Sequence, residues 1–206
     1  TAEQALAIVK KYALHLSDEA LSCLEAPTPN HLSNVETHIT GSVRALCAAA
    51  QDAAQKLGFQ CRMLTDCLEC EAREAGRFLA SIARSHQQTE RPLAFFAGGE
   101  TVVHLTGQGL GGRNQELALA AAPGLRGTQN TAVCSFGSDG TDGPTDAAGG
   151  FVDQSSDAAL RAAGLDVPQV LAENDAYHAL QKIGGLLMTG PTGTNVNDLA
   201  MVLIWR

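Results

Sequence analysis

Asp139, Asp142 and Asp146 fall within eight residues of one another in Ser138-Asp139-Gly140-Thr141-Asp142-Gly143-Pro144-Thr145-Asp146-Ala147-Ala148-Gly149. The stretch is too rich in Gly and Pro to be helical, and it follows an apolar run, TAVCSFG, that suits a strand. Carboxylates this close repel one another unless a cation lies between them, and Mg2+ prefers oxygen ligands shared with substrate phosphates. Such a set suits phosphoryl transfer. Asp139, Asp142 and Asp146 are candidate metal ligands, and Asp139 or Asp142 is a candidate acceptor of the proton from a substrate hydroxyl. The plainer reading has these residues tighten turns and cap helices.

Three further loops carry residues of the same kind. Gly107-Gln108-Gly109-Leu110-Gly111-Gly112-Arg113-Asn114-Gln115-Glu116 runs into the helical stretch LALAAA. A helix N-terminus offers unpaired N–H groups, Gly lets a ligand approach the backbone, and Arg113 can grip phosphate or carboxylate with two bonds. Gly111, Gly112 and Asn114 are therefore candidate phosphate contacts beside Arg113. No Gly-Lys-Ser/Thr follows, so this is not a Walker A loop. In Thr189-Gly190-Pro191-Thr192-Gly193-Thr194-Asn195-Val196-Asn197-Asp198, the residues Thr192, Gly193, Thr194, Asn195 and Asn197 can form a phosphate cradle without a Lys. A long hairpin turn between strands 186–189 and 199–205 explains that loop equally well. Ile39-Thr40-Gly41-Ser42 joins a strand to a helix, the place where nucleotides dock in doubly wound folds, although an ordinary turn is the simpler reading.

Alternating strand and helix signals position these loops. Residues 2–14 and 17–25 read as helices, with Ser17 capping the second ahead of Asp18 and Glu19, and the break Ala26-Pro27-Thr28-Pro29-Asn30 follows. Then come a strand over Val35–Thr40, a helix over 43–57 ended by Gly58, a strand over Phe59–Thr65, a helix over Glu69–His86 and a strand over Leu93–Ala97. This alternation predicts βαβ units and a parallel sheet. Beyond Gly98 the texture changes. Thr101–Thr106 reads as a short antiparallel strand, followed by a helix at 113–122, a strand at 130–136, helices near 155–164 and 173–183, and strands at 186–189 and 199–205. Asn174 is the expected N-cap of the helix that holds Tyr177. A domain boundary is placed near residue 90.

Composition narrows the class. The 206 residues are 45% hydrophobic with 21 Gly and 4% aromatics, which suits α/β structure with many short turns. A net charge of −8 argues against a nucleic-acid surface, yet leaves room for a small anionic substrate. Cys23, Cys47, Cys61, Cys67, Cys70 and Cys134 mostly sit in apolar runs, as reduced buried thiols do, and the lone Cys67-x-x-Cys70 has no partner pair for zinc. His15, His31, His38, His86, His104 and His178 share no ligand spacing and read as structural or surface residues. No apolar run approaches the ~20 residues of a membrane span. The opening TAEQALAIVKKYAL is an amphipathic helix rather than a signal peptide, and it reads as a piece of something longer.

In combination, GGETVVHLTGQGLGGRNQELALAAA (98–122), GSDGTDGPTDAAGG (137–150), END-A-Y (173–177) and TGPTGTNVNDL (189–199) resemble the glycerate kinase family that carries a MOFRL domain. Val35 through Ala54 and GFQ…EAREAGRFLA (58–80) resemble the part that precedes MOFRL. The resemblance implies two α/β domains with the active site in their cleft. Residues 1–90 would be the C-terminal part of the larger, Rossmann-like domain and 91–206 a mixed-sheet MOFRL domain. It implies ATP and Mg2+ as cofactors and D-glycerate as substrate, with 2-phosphoglycerate the favoured product over the 3-phospho isomer. Arg113 would contact the transferred phosphate or the glycerate carboxylate, Asp139 or Asp142 the metal or reacting hydroxyl, loop 190–198 would close on the cleft, and Gly41 and Ser42 would meet the nucleotide. The missing N-terminal part, expected to supply a catalytic Lys, would be this chain's partner, and without it turnover is expected to be little or none. The expected location is cytoplasmic, or mitochondrial if the full chain carries a targeting segment, and self-association is left open. Competing readings are a regulatory nucleotide- or metabolite-binding domain, another metal-dependent sugar-phosphate enzyme, and a purely structural interaction domain.

Overall fold

The computed structural model describes residues 1–29 and 31–206, so Asn30, the last residue of the expected break, lies outside the described residues. The chain divides into two compact units, Thr1–Ile39 and Thr40–Arg206.

In the first unit, α1 (Ala2–Lys11) and α2 (Asp18–Glu25) occupy the two stretches with helical signals. Thr1 and Gln4 cap each other reciprocally at the start of α1. Ser17 Oγ accepts from the Ala20 amide at 3.3 Å, the role its place before Asp18 and Glu19 predicts. α1 stops short of residue 14 because Ala13 turns to φ 50°. Neither helix buries a side chain. The strand expected over Val35–Thr40 does not form, and Val35 and Ile39 are 59% and 84% exposed. A strand exists only with a neighbour to complete its ladder, and no described residue pairs with this segment.

The second unit contains α3 (Val43–Lys56), β1 (Gln60–Leu68), α4 (Ala72–Ser85), β2 (Leu93–Gly99), α5 (Arg113–Ala121), a 3-10 turn (Ala122–Leu125), β3 (Thr131–Gly137), β4 (Gly149–Asp153), α6 (Ser156–Ala162), α7 (Val167–Ala172), α8 (Ala176–Lys182), β5 (Leu186–Leu187) and β6 (Asp198–Ile204). One mixed sheet has the order β1-β2-β6-β3-β4-β5. β1 and β2 are parallel and joined through α4, the βαβ unit that the alternation predicts. The remaining pairs are antiparallel. The stretch Gln87–Pro92, where a boundary was expected, connects α4 to β2 within this sheet.

Helices cover the sheet on two faces, and β2 shows why. All seven of its residues are buried. Leu93, Phe95 and Ala97 point to a core shared with α4, α5, α7, α8, β3 and β6, while Ala94 and Phe96 point to a smaller core beneath Cys47 and Ala54 of α3. A strand buried on both faces reads as a continuous apolar run, and LAFFA is one. α5 is itself buried from Asn114 to Ala121, and it lies so close to α4 that a Cβ on Gly76 would stand 2.1 Å from the Leu117 carbonyl oxygen.

Four expectations need correction. Thr101–Thr106 forms no strand. The Val102 amide donates to Cys70 O and Val102 O accepts from the Ala72 amide, so the segment spends its backbone at the head of α4. β4 appears where Gly149 and Gly150 carry no strand signal. A Cβ on Gly149 would lie 2.0 Å from Ser135 O, so the pairing itself requires glycine. α7 begins at Val167 because Asp166 caps it and Pro168 suits a first turn. Residues 188–197 are no hairpin turn, since β5 pairs with β4 whereas β6 lies between β2 and β3.

Candidate functional site

The sheet register builds one end of the molecule. Leu68, Gly99, Asp198 and Gly137 stand side by side across β1, β2, β6 and β3. The chain leaves β1, β2 and β3 at this end and enters β6 here. The loops after β2 and β3 and the loop before β6 therefore meet at the carboxyl ends of three strands, where α/β folds place their sites.

The loop after β3 and the loop before β6 are stitched together. Thr192 donates its amide to Asp139 O at 3.0 Å and its hydroxyl to Ser138 O. The Val196 amide donates to Ser138 Oγ at 2.8 Å, and the Ser138 amide to Asn197 O at 3.1 Å. Asn195 Nδ2 donates to Asp139 Oδ2 at 3.4 Å. Gly140, at φ 87°, lies against Gly190 so closely that a Cβ would fall 2.0 Å from the Gly190 carbonyl oxygen. Gly193 and Thr194 form the exposed tip of this loop.

The loop after β2 joins through Asp142, which is 2% exposed. Its carboxylate accepts from the Asn114 amide at 3.1 Å, Asn114 Nδ2 at 3.2 Å and the Gln115 amide at 2.9 Å. It therefore caps α5 from another loop, and it fills the space that a Cβ on Gly112 would need, 2.3 Å from Asp142 Cγ. Burial pushes this carboxyl above the usual carboxylate range, while the N–H donors and nearby Arg113 pull against it. Ser135 Oγ donates to Asn114 Oδ1, and Gln115 Nε2 donates to Thr145 Oγ1 at 2.8 Å, which extends the buried polar network, while Gln115 Oε1 has no partner among the described residues.

Arg113, the first residue of α5, projects from this network. Its Nε and Nη2 donate to Asp198 at 2.5 and 3.0 Å, and Nη2 lies 3.3 Å from Glu100 Oε1. The Asp198 carboxylate is the main cause that holds Arg113 above its ordinary value. Beside Arg113 opens a cavity of about 530 Å³, lined among others by Val102, Val103, Leu105, Gly111, Glu116 and Asn174. Its wall is mostly apolar with a few polar groups, the usual build of a small-molecule pocket.

The remaining expected residues have different placements. Asp146 accepts from the Tyr177 hydroxyl at 2.8 Å. Ser42 Oγ caps α3 by accepting from the Ala45 amide at 3.2 Å, and Gly41 lies beside Val196, whose Cγ1 would be 3.0 Å from an added Cβ. Among the described residues no three His, Cys, Asp or Glu side chains gather to hold a metal. Asp142 has both oxygens committed to α5, and Asp139 accepts from the Thr141 amide at 3.0 Å on Oδ1 and from Asn195 on Oδ2.

Two supports escaped the sequence reading. Asn174 does not cap α8, which starts after Asp175. At φ 55°, Asn174 turns its side chain into the glycine-rich loop instead. Oδ1 accepts from the Thr106 and Gly107 amides at 2.8 and 2.9 Å, and Nδ2 donates to His104 O and Glu116 Oε2. Asp175 Oδ1 accepts from the Leu110 amide at 2.9 Å. Arg73 of α4 donates to buried Glu116 at 3.0 Å and to Leu171 O at 3.3 Å. Burial raises the Glu116 carboxyl, and Arg73 offsets part of that cost. The quoted motifs END-A-Y and EAREAGRFLA contained both residues, but spacing alone assigns them no partner.

Comparison with known proteins completes the picture. A family model described as the MOFRL family matches residues 93–198. A D-glycerate 2-kinase of Thermotoga maritima is 52% identical over 99% of this chain and 50% of its own length. A glycerate 2-kinase of Pyrococcus horikoshii is 42% identical over 93% of this chain and 44% of its own length. The crystal structure of the Thermotoga maritima glycerate kinase superposes with a TM-score of 0.86 at 52% identity, over 99% of this chain and 50% of that one. The chain thus spans about half the length of the relatives it matches. With a match across the segment that holds Arg113, Asp139 and Asp198, this chain belongs to the MOFRL family.

Proposed function

We propose that this chain forms one side of an active site that transfers a phosphoryl group from ATP to D-glycerate, with 2-phosphoglycerate as product. The observation that carries this reading is the meeting of Arg113, the 138–143 loop and the 190–198 loop at one sheet end, beside a cavity sized for a small molecule. The names of the relatives support the choice of substrate.

Phosphoryl transfer depends on positioning and on neutralising charge. Arg113 supplies a guanidinium to the phosphate or to the glycerate carboxylate. The glycine-rich loop at Gly111 and Gly112 lets that anion approach the backbone. Thr192 ties the facing loop to the loop after β3, so that Gly193, Thr194, Asn195 and Asn197 present donors from it, with Gly41 and Ser42 alongside for the nucleotide. Asp142 contributes by fixing the start of α5, while Asp139 and Asp146 are the carboxylates that would be offered to a magnesium ion arriving with the nucleotide. When bound, magnesium would neutralise charge on the phosphoryl group in transfer. Residues 1–90 and 91–206 fall on either side of the start of the MOFRL match, and since the relatives are about twice as long, a segment outside these residues would supply a Lys and the opposite wall. The location proposed is the cytoplasm. No helix among the described residues is long and apolar enough to cross a membrane.

The test uses the complete protein that contains this chain. ATP-dependent phosphorylation of D-glycerate, with 31P NMR to place the new ester at the 2-hydroxyl, is the expected result. Arg113→Ala lowers kcat about 1000-fold with little change in thermal midpoint. Retention of activity within a few-fold removes Arg113 from its role, and rapid turnover by the 206 residues alone contradicts the need for a second half.

A further inference from the structure

Arg113 has two hydrogen-bonding edges, and the structure treats them differently. The inner edge, Nε and Nη2, lies on Asp198 at 2.5 and 3.0 Å. Asp198 is the first residue of β6, with a side chain only 9% exposed. It sits between Gly99 of β2 and Gly137 of β3 in the sheet register, so strands flank it on both sides. A carboxylate fixed to a central strand dictates where the planar guanidinium points. The outer edge is Nη1 and the second hydrogen of Nη2. Among the described residues Nη1 has no hydrogen-bond partner, and Nη2 meets Glu100 Oε1 at 3.3 Å. The Glu100 side chain is 54% exposed, beyond the Gly99 turn, so it is held far more loosely than Asp198.

We propose, resting on the phosphate role given to Arg113, that Asp198 is a positioning residue that aims the outer edge of Arg113 at a tetrahedral oxyanion, while Glu100 occupies part of that edge until the oxyanion displaces it. A fork of two parallel N–H donors matches two oxygens of a phosphate, and it works only if the plane is held from behind. Glu100 sets a carboxylate beside the same guanidinium, as an ion pair without a hydrogen bond, and so competes with the ligand for it.

The experiment uses the complete protein. Asp198→Asn keeps the side-chain shape and removes the charge. It should lower kcat about 100-fold with KM for D-glycerate within about threefold, because misaimed charge hurts the transition state more than the ground state. It should also speed modification of Arg113 by phenylglyoxal about tenfold, read by mass spectrometry, since the ion pair that protects the guanidinium is gone. Glu100→Gln should tighten inhibition by inorganic phosphate about threefold or more. Asp198→Asn that changes neither kcat nor Arg113 labelling overturns the proposal. If Asp198→Asn does not fold, Glu100→Gln decides, and an unchanged phosphate inhibition constant overturns it. An active Arg113→Ala enzyme indicts the phosphate role itself, so the two failures are distinguishable.

Discussion

Asp142 shows how one side chain can decide the geometry around another. It satisfies two of the first amides of α5, which otherwise have no partner inside the helix. Asp142→Ala strands those amides and the Asn114 side chain in the interior, and a loss of about 3 kcal/mol is expected in urea unfolding. Gly112→Ala tests the same contact from the opposite side. Its Cβ meets a carboxylate that three donors hold in place, so about 2 kcal/mol should be lost although the backbone conformation is open to any residue. Cys134 supplies a pH signature. Burial pushes its thiol from 9.0 up to about 12. Between those values the unfolded chain gives up this proton and the folded chain keeps it. The folded state binds more protons there, so stability falls as pH rises, by about 1.4 kcal/mol per unit from this thiol. Urea midpoints of the parent protein and Cys134→Ala, compared at pH 8 and 10.5, should converge with rising pH. A constant difference would refute the assignment.

The glycine-rich segment before α5 is an element without regular structure that nonetheless has a fixed course. Asn174 and Asp175 hold the amides of Thr106, Gly107 and Leu110. Asn174→Ala should therefore raise amide exchange at Thr106 and Gly107 at least about tenfold while β6 stays protected. Asn174→Asp keeps the acceptor but sets a second carboxylate against Glu116, and should destabilise as well. These latches explain what the sequence leaves hidden. LAFFA of β2 is legible because burial on both faces makes it an unbroken apolar run, and α3 because its Ala-rich helix formers stand between a Ser42 cap and Gly58. Val35–Thr40 and Thr101–Thr106 carry the same apolar alternation as strands, but a strand depends on a partner that no local pattern names. Gly149-Gly150 fails in the opposite sense, since its strand exists through close backbone approach and has no side-chain signal. The turns around Arg113, Asp139 and Thr192 are readable as glycine-threaded loops. That Asp142 faces α5, and that Asp198 faces Arg113, follows only from the order of strands.

The two compact units differ in what holds them. Every buried apolar side chain among the described residues falls between Cys47 and Ile204, within the second unit. A chain that starts at Thr40 should therefore unfold cooperatively with a thermal midpoint within about 5 °C of the longer one, measured by circular dichroism. A molten or aggregated product would show that the first unit is needed for folding. The place of β6 has a consequence for synthesis. Before residues 198–204 leave the ribosome, β1–β2 and β3–β4–β5 are two separate ribbons, each with an open apolar edge and no middle. The keystone is delivered last, from almost a hundred residues past β2. The nascent protein must wait, half-made and adhesive, and chaperone traffic should track that interval.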